Sequence, residues 1–188
     1  MPARPASASA PSLHLNRNDP MTIDTLDALL LHRLKGTLYA ERVILRGLRS
    51  MEQKASAAQL KAAFAAHRAE TEEHLIRLER AFDALDVPVH GKRCQAITSL
   101  IEEAEGLTAT MGTTATLDAA LIAVAQTIKH HEIARYCTLV TLAMTLGRPK
   151  LAALFKGTLD DETAANAALS RLADERMTAA SANFWWQS

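Results

Sequence analysis

Apolar residues recur along this chain at alternating steps of three and four, the period of an α-helix with one buried face. One such series runs Leu60, Phe64, His67, Thr71, His74, Leu78, Phe82 and Leu85, apolar at both ends and polar in the middle. Three more stripes share this form. Over about residues 23–51 the stripe is Leu26, Leu30, Leu34, Thr37 with Leu38, Glu41, Ile44 with Leu45, and Leu48. Over about residues 117–146 it is Leu117, Leu121, Val124, Ile128, Glu132, Leu139 and Leu142 with Ala143. Over about residues 149–176 it is Leu151, Phe155, Thr158, Glu162, Ala165, Leu169 and Leu172. Four long helices are predicted.

The connections are equally legible. Thr22 or Asp24 suits the N-cap of the first helix, and Ser56-Ala-Ala-Gln59 has the form of a capping box opening the second. The connector at residues 52–55 is short, so the first two helices are antiparallel neighbours. Between them and the third lies a turn at Val87-Pro88, then Gly91, a short helix from about Cys94 to Gly106, and a stretch rich in Thr and Gly. That is enough chain to cross the length of a bundle. Gly147 and Pro149 fit C′ and N1, so the last two helices also turn back on each other. Gly157 inside the fourth helix costs about 1 kcal/mol relative to Ala and marks a close approach or a bulge.

Residues 1–20 are rich in Pro, Ala and Ser without apolar period, and read as a disordered extension. Their Arg-bearing, acid-poor start has some features of a transit peptide, and Met21 is an alternative start. The bundle then spans residues 21–177. Residues 178–188 form a tail in which Phe184, Trp185 and Trp186 either dock or fray.

Composition narrows the class. At 188 residues the chain builds one core, and its wealth of Ala and Leu favours an all-α fold. Lys plus Arg, 21, equals Asp plus Glu, 21, and no basic stripe carries aromatics, so nucleic acid is not an expected partner. No run approaches the ~20 apolar residues of a membrane span. Cys94 and Cys137 form no metal or disulfide motif; Cys137 reads as a small core residue, and free thiols suggest the cytoplasm.

What alters the picture is the polar middle of each stripe. Glu41, Glu132 and Glu162 each interrupt an apolar series, and Glu70 borders the series of the second helix, three residues after His67 and four before His74. An unpaired buried carboxylate protonates, pairs or binds a cation. Bundles that hold two irons or manganese draw a Glu from each of two helices and Glu-x-x-His from the other two. The present pattern differs, with His67-x-x-Glu70, His74 beyond it, and Ala165 three after Glu162. Counted from the turns, Glu41 and His67 share a height, as do Glu132 and Glu162. The plainer alternative is a solvated face with pairs such as Glu73 and Arg77. Glu102, Glu103 and Glu105 on the short helix read as solvated.

Five segments together resemble the YciE/YciF family of bacterial ferritin-like, stress-associated proteins: TLDALLLHRLKGTLYAE, LKAAFAAHRAETEEHLIRLE, GKRCQAITSLIEEAEGL, AQTIKHHEIARYCTL and LDDETAANAAL. The resemblance covers nearly all of residues 22–175. It implies a ferritin-like four-helix bundle with a long crossover, a homodimer and kinship with di-iron proteins, but no defined reaction. Two departures stand out. Lys129-His130-His131-Glu132 replaces the Glu-His-Tyr-Glu usual there, and Gly36 stands where Asp is common, so two acids near the presumed centre are missing.

Two functions follow as expectations. In one, Glu41, Glu70, Glu132 and Glu162 with His67 or His74 bind one or two ions of iron or manganese, which suit imidazole and carboxylate, and dioxygen or peroxide is the reaction partner. In the other, the protein is a non-catalytic dimeric stress protein whose buried acids pair with Lys129. Apolar positions beside the core stripes, Leu29, Leu31, Val43, Ile76, Val140 and Leu154, are the expected dimer surface.

Overall fold

The computed structural model describes residues 23–112 and 114–185, with side chains through Glu175. Five helices make it up: α1 Leu26–Lys54, α2 Ala58–Ala84, α3 Gln95–Thr110, α4 Ala115–Thr145 and α5 Pro149–Trp185. Helices α1, α2, α5 and α4 surround one core, each packed on the next, and α3 lies in the crossover against α1 and α4. Asp118 in the first turn of α4 bonds Ser56 and Ala57 before α2, so α2 and α4 begin at the same end. The helices therefore run up, down, down, up, and the crossover returns the chain along the bundle. This is the four-helix bundle with a long crossover that the stripes predicted.

Local signals explain the ends. The Thr25 hydroxyl accepts the Ala28 amide at 3.1 Å, so the cap of α1 is Thr25, not Thr22 or Asp24. The capping box before α2 does not close. Instead Asp118 accepts the Ser56 amide and hydroxyl, each at 2.6 Å, and the Ala57 amide at 2.9 Å. An ionised carboxylate is a stronger acceptor than the Gln59 amide, and Gln59 stays exposed. Gly147, at φ 66°, closes α4 in the left-handed conformation, with the Arg148 amide bonding the Ala143 carbonyl. Gly157 marks neither close approach nor bulge: a Cβ there would stand 3.7 Å from Arg77. Helix α5 continues past the expected end at Arg176 to Trp185. The extension over residues 1–20 and the docking of Phe184, Trp185 and Trp186 fall outside what is described.

The core is two apolar clusters. One, around Leu48, Leu60, Phe64, Leu117, Leu121 and Leu169, fills the end where α2 and α4 start. The other, around Leu30, Leu34, Leu78, Phe82, Leu139 and Phe155, fills the opposite end. Leu31 and Val43 belong to these clusters, not to a free surface, because α1 is covered by α3 as well as by its bundle neighbours. Cys137 is exposed; the buried face of α4 follows Ile128, Glu132, Tyr136 and Leu139, and Cys137 falls off it. Glu102, Glu103 and Glu105 are exposed, as expected. No described helix is long and apolar enough to cross a membrane.

Candidate metal centre

Between the two clusters every bundle helix turns polar. Helix α1 brings Glu41, α2 brings His67, Thr71 and His74, α4 brings Lys129, Glu132 and Tyr136, and α5 brings Thr158 and Glu162, all buried. The threonines in this layer satisfy themselves or their neighbours. Thr71 donates back to the His67 carbonyl at 2.8 Å, and Thr158 accepts from Arg77 at 3.3 Å. The acids and His74 do not. Glu41 Oε2, both oxygens of Glu132, Glu162 Oε1 and both ring nitrogens of His74 are buried without a hydrogen-bond partner. Such groups carry a desolvation cost of about 1–3 kcal/mol each, more when charged.

These atoms sort into two triads that share Glu162. Glu41, His74 and Glu162 bring one ligand atom each within 4.8 Å of one another, and so do His67, Glu132 and Glu162. In the first triad His74 Nδ1 lies 3.1 Å from Glu162 Oε1 and 3.9 Å from Glu41 Oε1, without hydrogen-bond geometry to either. The ring's other nitrogen faces Asp161 Oδ2 at 3.5 Å, and Arg77 holds that same oxygen at 2.5 Å. Tyr136 fixes the other carboxylate, its hydroxyl donating to Glu41 Oε1 at 2.6 Å. The second triad is filled by the chain itself. Lys129 Nζ stands 2.5 Å from Glu162 Oε2, 2.5 Å from His67 Nε2 and 3.4 Å from Glu132 Oε2.

The protonation pattern follows from burial and these neighbours. Burial opposes the Lys129 charge, but Glu132 and Glu162 outweigh it and hold its pKa above the ordinary value. Glu162, despite burial, is brought down to about 2 by His74 and Lys129. Burial and then Lys129 take His67 down to about 3, so its imidazole is neutral and accepts from the ammonium. His74 is raised, since Glu162 and Glu41 overcome burial. Burial lifts Glu41 to about 7 and Glu132 well above its ordinary range. The second triad is electrically closed by its lysine. Both triads keep unpartnered donor atoms, the first on Glu41, His74 and Glu162 and the second on Glu132, but only the second has an ammonium beside two of its carboxylates.

Of the sequence-predicted residues, Glu41, His67, His74, Glu132 and Glu162 meet in this layer. Glu41 meets His74 and not His67 in its triad, because heights counted from the turn ignore how two packed helices slide and rotate against each other. Glu70 joins neither triad; it is half-buried at the edge, and burial raises its carboxyl. Gly36 lies away from the centre, beneath Arg135. Periodicity alone passed over Tyr136, though it follows Glu132 by one turn, and Asp161, whose neighbour Glu162 drew attention first.

A family described as a domain of unknown function, DUF892, matches residues 25–182. Protein YciF of Escherichia coli K12 is 36% identical over 154 residues, 81% of this chain and 93% of that protein. The crystal structure of this E. coli stress protein superposes with a TM-score of 0.79 at 35% identity, over 82% of this chain and 98% of that one. YcfI of Rhodopseudomonas palustris gives 0.75 at 36% identity, over 83% and 97%.

Proposed function

We propose, for a chain that belongs to the DUF892 family and has the ferritin-like fold of the stress protein YciF, that the bundle core binds a single divalent ion, iron or manganese, on Glu41, His74 and Glu162. One observation carries this reading: the three residues bring ligand atoms within 4.8 Å of one another in a buried layer where His74 Nδ1, Glu162 Oε1 and Glu41 Oε2 have no hydrogen-bond partner. Two carboxylates and an imidazole suit these ions. Tyr136 orients Glu41, and Asp161 faces the far nitrogen of His74, where a carboxylate fixes the tautomer of a liganding ring. When bound, such an ion supplies one-electron chemistry toward dioxygen or peroxide. Lys129 occupies the second position and limits the core to one ion.

The Lys129 contacts also favour a second reading, in which the layer is a self-neutralised ion network in a non-catalytic stress protein. Elemental analysis of protein purified without chelators, then anaerobic titration with ferrous iron and with manganese, separates the two. The first reading expects one ion per chain, lost together in Glu41→Gln and His74→Ala. Sub-stoichiometric metal under every condition overturns it and leaves the ion network.

A homodimer in the cytoplasm is proposed as well. The half-buried Leu29, Val140 and Leu154 and the exposed Ile76 remain as its apolar surface. Light scattering that returned only monomer mass would remove it.

A further inference from the structure

A second cluster of charge lies outside the core, where α1, the crossover before α3 and α4 meet. A surface cavity of about 190 Å³ is lined by His32 and Arg33 of α1, Lys92, Arg93 and Cys94 of the crossover, and Arg135 of α4. Among the described residues no carboxylate lines it. Gly36 forms part of its wall, and a Cβ there would overlap the Arg135 guanidinium.

Among the described residues Arg135 has no carboxylate partner. Its Nε donates to Thr37 Oγ1 at 3.1 Å, Nη1 to Cys94 Sγ at 3.4 Å and Nη2 to the Arg33 carbonyl at 3.4 Å. A guanidinium has five N–H groups, so donors remain. Among the described residues none of the five basic side chains forms an ion pair, although the chain as a whole balances its charges. His32 Nδ1 is buried without a partner. Burial together with the neighbouring cations pushes His32 below its ordinary pKa, as it does His131, whose Nε2 stands 3.9 Å from Cys94 Sγ. The cavity also sits at the start of α3, where Cys94 is the N-cap, makes no capping bond and is followed by no acid in the first turn.

Like charges gathered around a cavity without a counter-charge repel one another, and an anion among them relieves that repulsion. We infer that this cavity is a binding site for a small oxyanion of the phosphate kind, bound by Arg135 and by Arg33, Lys92 and Arg93 at its rim. Its volume is below the roughly 300 Å³ at which pockets for larger organic ligands begin. The anion is either free phosphate or the phosphate of a small ester.

The thiols provide the test. Cys94 lines the cavity while Cys137 is exposed on α4, so the full chain carries a reporter and its own reference. Alkylation of both thiols by iodoacetamide is followed while inorganic phosphate or glycerol phosphate is added, with sodium chloride adjusted to constant ionic strength. Saturable slowing at Cys94 alone is expected, and calorimetry should show one phosphate per chain. The double variant R33Q/R93Q removes two exposed charges without touching the core and should weaken binding by tenfold or more, about the value of a charged hydrogen bond. Tighter binding of glycerol phosphate would identify an ester as the ligand, and equal or weaker binding the free anion. No protection of Cys94, equal slowing of both thiols, or undiminished binding by the double variant would each overturn the site.

Discussion

The two triads in the core are built from similar parts and differ in what closes them. Each has two carboxylates and one imidazole, each is buried, and both use Glu162. In the triad of His67, Glu132 and Glu162 an ammonium from the same protein stands among the ligand atoms, and its neutral histidine accepts from it. In the triad of Glu41, His74 and Glu162, among the described residues, Lys129 contacts only the shared Glu162. Tyr136 donates to Glu41 Oε1, and Asp161 Oδ2 faces His74 Nε2 at 3.5 Å. Similar ligand chemistry thus yields an ion network on one side and, on the other, a triad for which a metal ion is proposed. A single residue, Lys129, decides between them.

Exchanging that residue should produce the largest effect. Lys129→Glu removes the charge that balances Glu162 and adds another buried acid, so the metal-free protein should lose about 3–5 kcal/mol, the range for breaking a buried pair. Added iron or manganese should restore stability and bind with two ions per chain instead of one. Thermal melts with chelator and with metal, alongside elemental analysis, measure both. If neither stability nor stoichiometry changes, Lys129 is not what distinguishes the triads.

The next largest effect is a pH dependence. Glu41 titrates at about 7 in the folded protein against an ordinary 4.5, so the folded state holds this proton more tightly than the unfolded chain. Its contribution to metal-free stability is full below about pH 4.5 and is lost as pH rises through about 7. Glu162, at about 2, contributes the opposite way: its stabilisation is present above 4.5 and is lost as pH falls toward 2. His67, with a folded value near 3 against 6.5, also favours the higher pH and partly masks Glu41. Comparing Glu41→Gln with the parent removes the His67 background, because His67 takes its shift from burial and Lys129, not from Glu41. The difference in urea stability should grow by up to about 3 kcal/mol in the variant's favour between pH 4.5 and 7. A difference that does not change with pH would place Glu41 outside the charged layer.

Much of this was legible in the chain because burial leaves a periodic trace. Glu41, Glu132 and Glu162 could be picked out as acids in apolar stripes, and Gly147-Arg148-Pro149 announced its turn. What escaped depends on geometry between helices, which no single stripe contains. Which histidine faces Glu41 is set by how α1 and α2 are placed against each other, and the cap of α2 comes from Asp118, 62 positions after Ser56. Glu70 shows the limit of spacing arguments: a border position on a stripe is compatible with the centre and with the edge, and here it is the edge. The basic cavity left no pattern at all, since its residues come from three separated segments.

The residues behind the open triad should give smaller effects. Asp161→Ala removes the carboxylate facing His74 Nε2, and loss of such a partner typically lowers metal affinity about 10–100-fold. It should do so without creating a second metal position. Competition with a chelator of known affinity measures this, and unchanged affinity would mean that His74 is oriented by packing alone.

Tyr136→Phe should have the smallest effect and the most specific signature. The ring is fully buried and packs edge-on to His74, so phenylalanine keeps the volume and removes only the hydroxyl that donates to Glu41 Oε1 at 2.6 Å. A hydrogen bond to a charged acceptor contributes about 1.5–3 kcal/mol and a neutral one about 1. Because Glu41 ionises near 7, the metal-free variant should lose more stability well above that pH than well below it, and its Glu41 should titrate higher still. Ion binding needs the ionised carboxylate, so affinity near neutral pH should also fall, but by less than in Asp161→Ala. Urea unfolding on both sides of neutrality tests the asymmetry. Equal losses at the two pH values would mean that Tyr136 holds Glu41 in place without selecting its charged form, and the open triad would then owe its readiness to Asp161 and His74 alone.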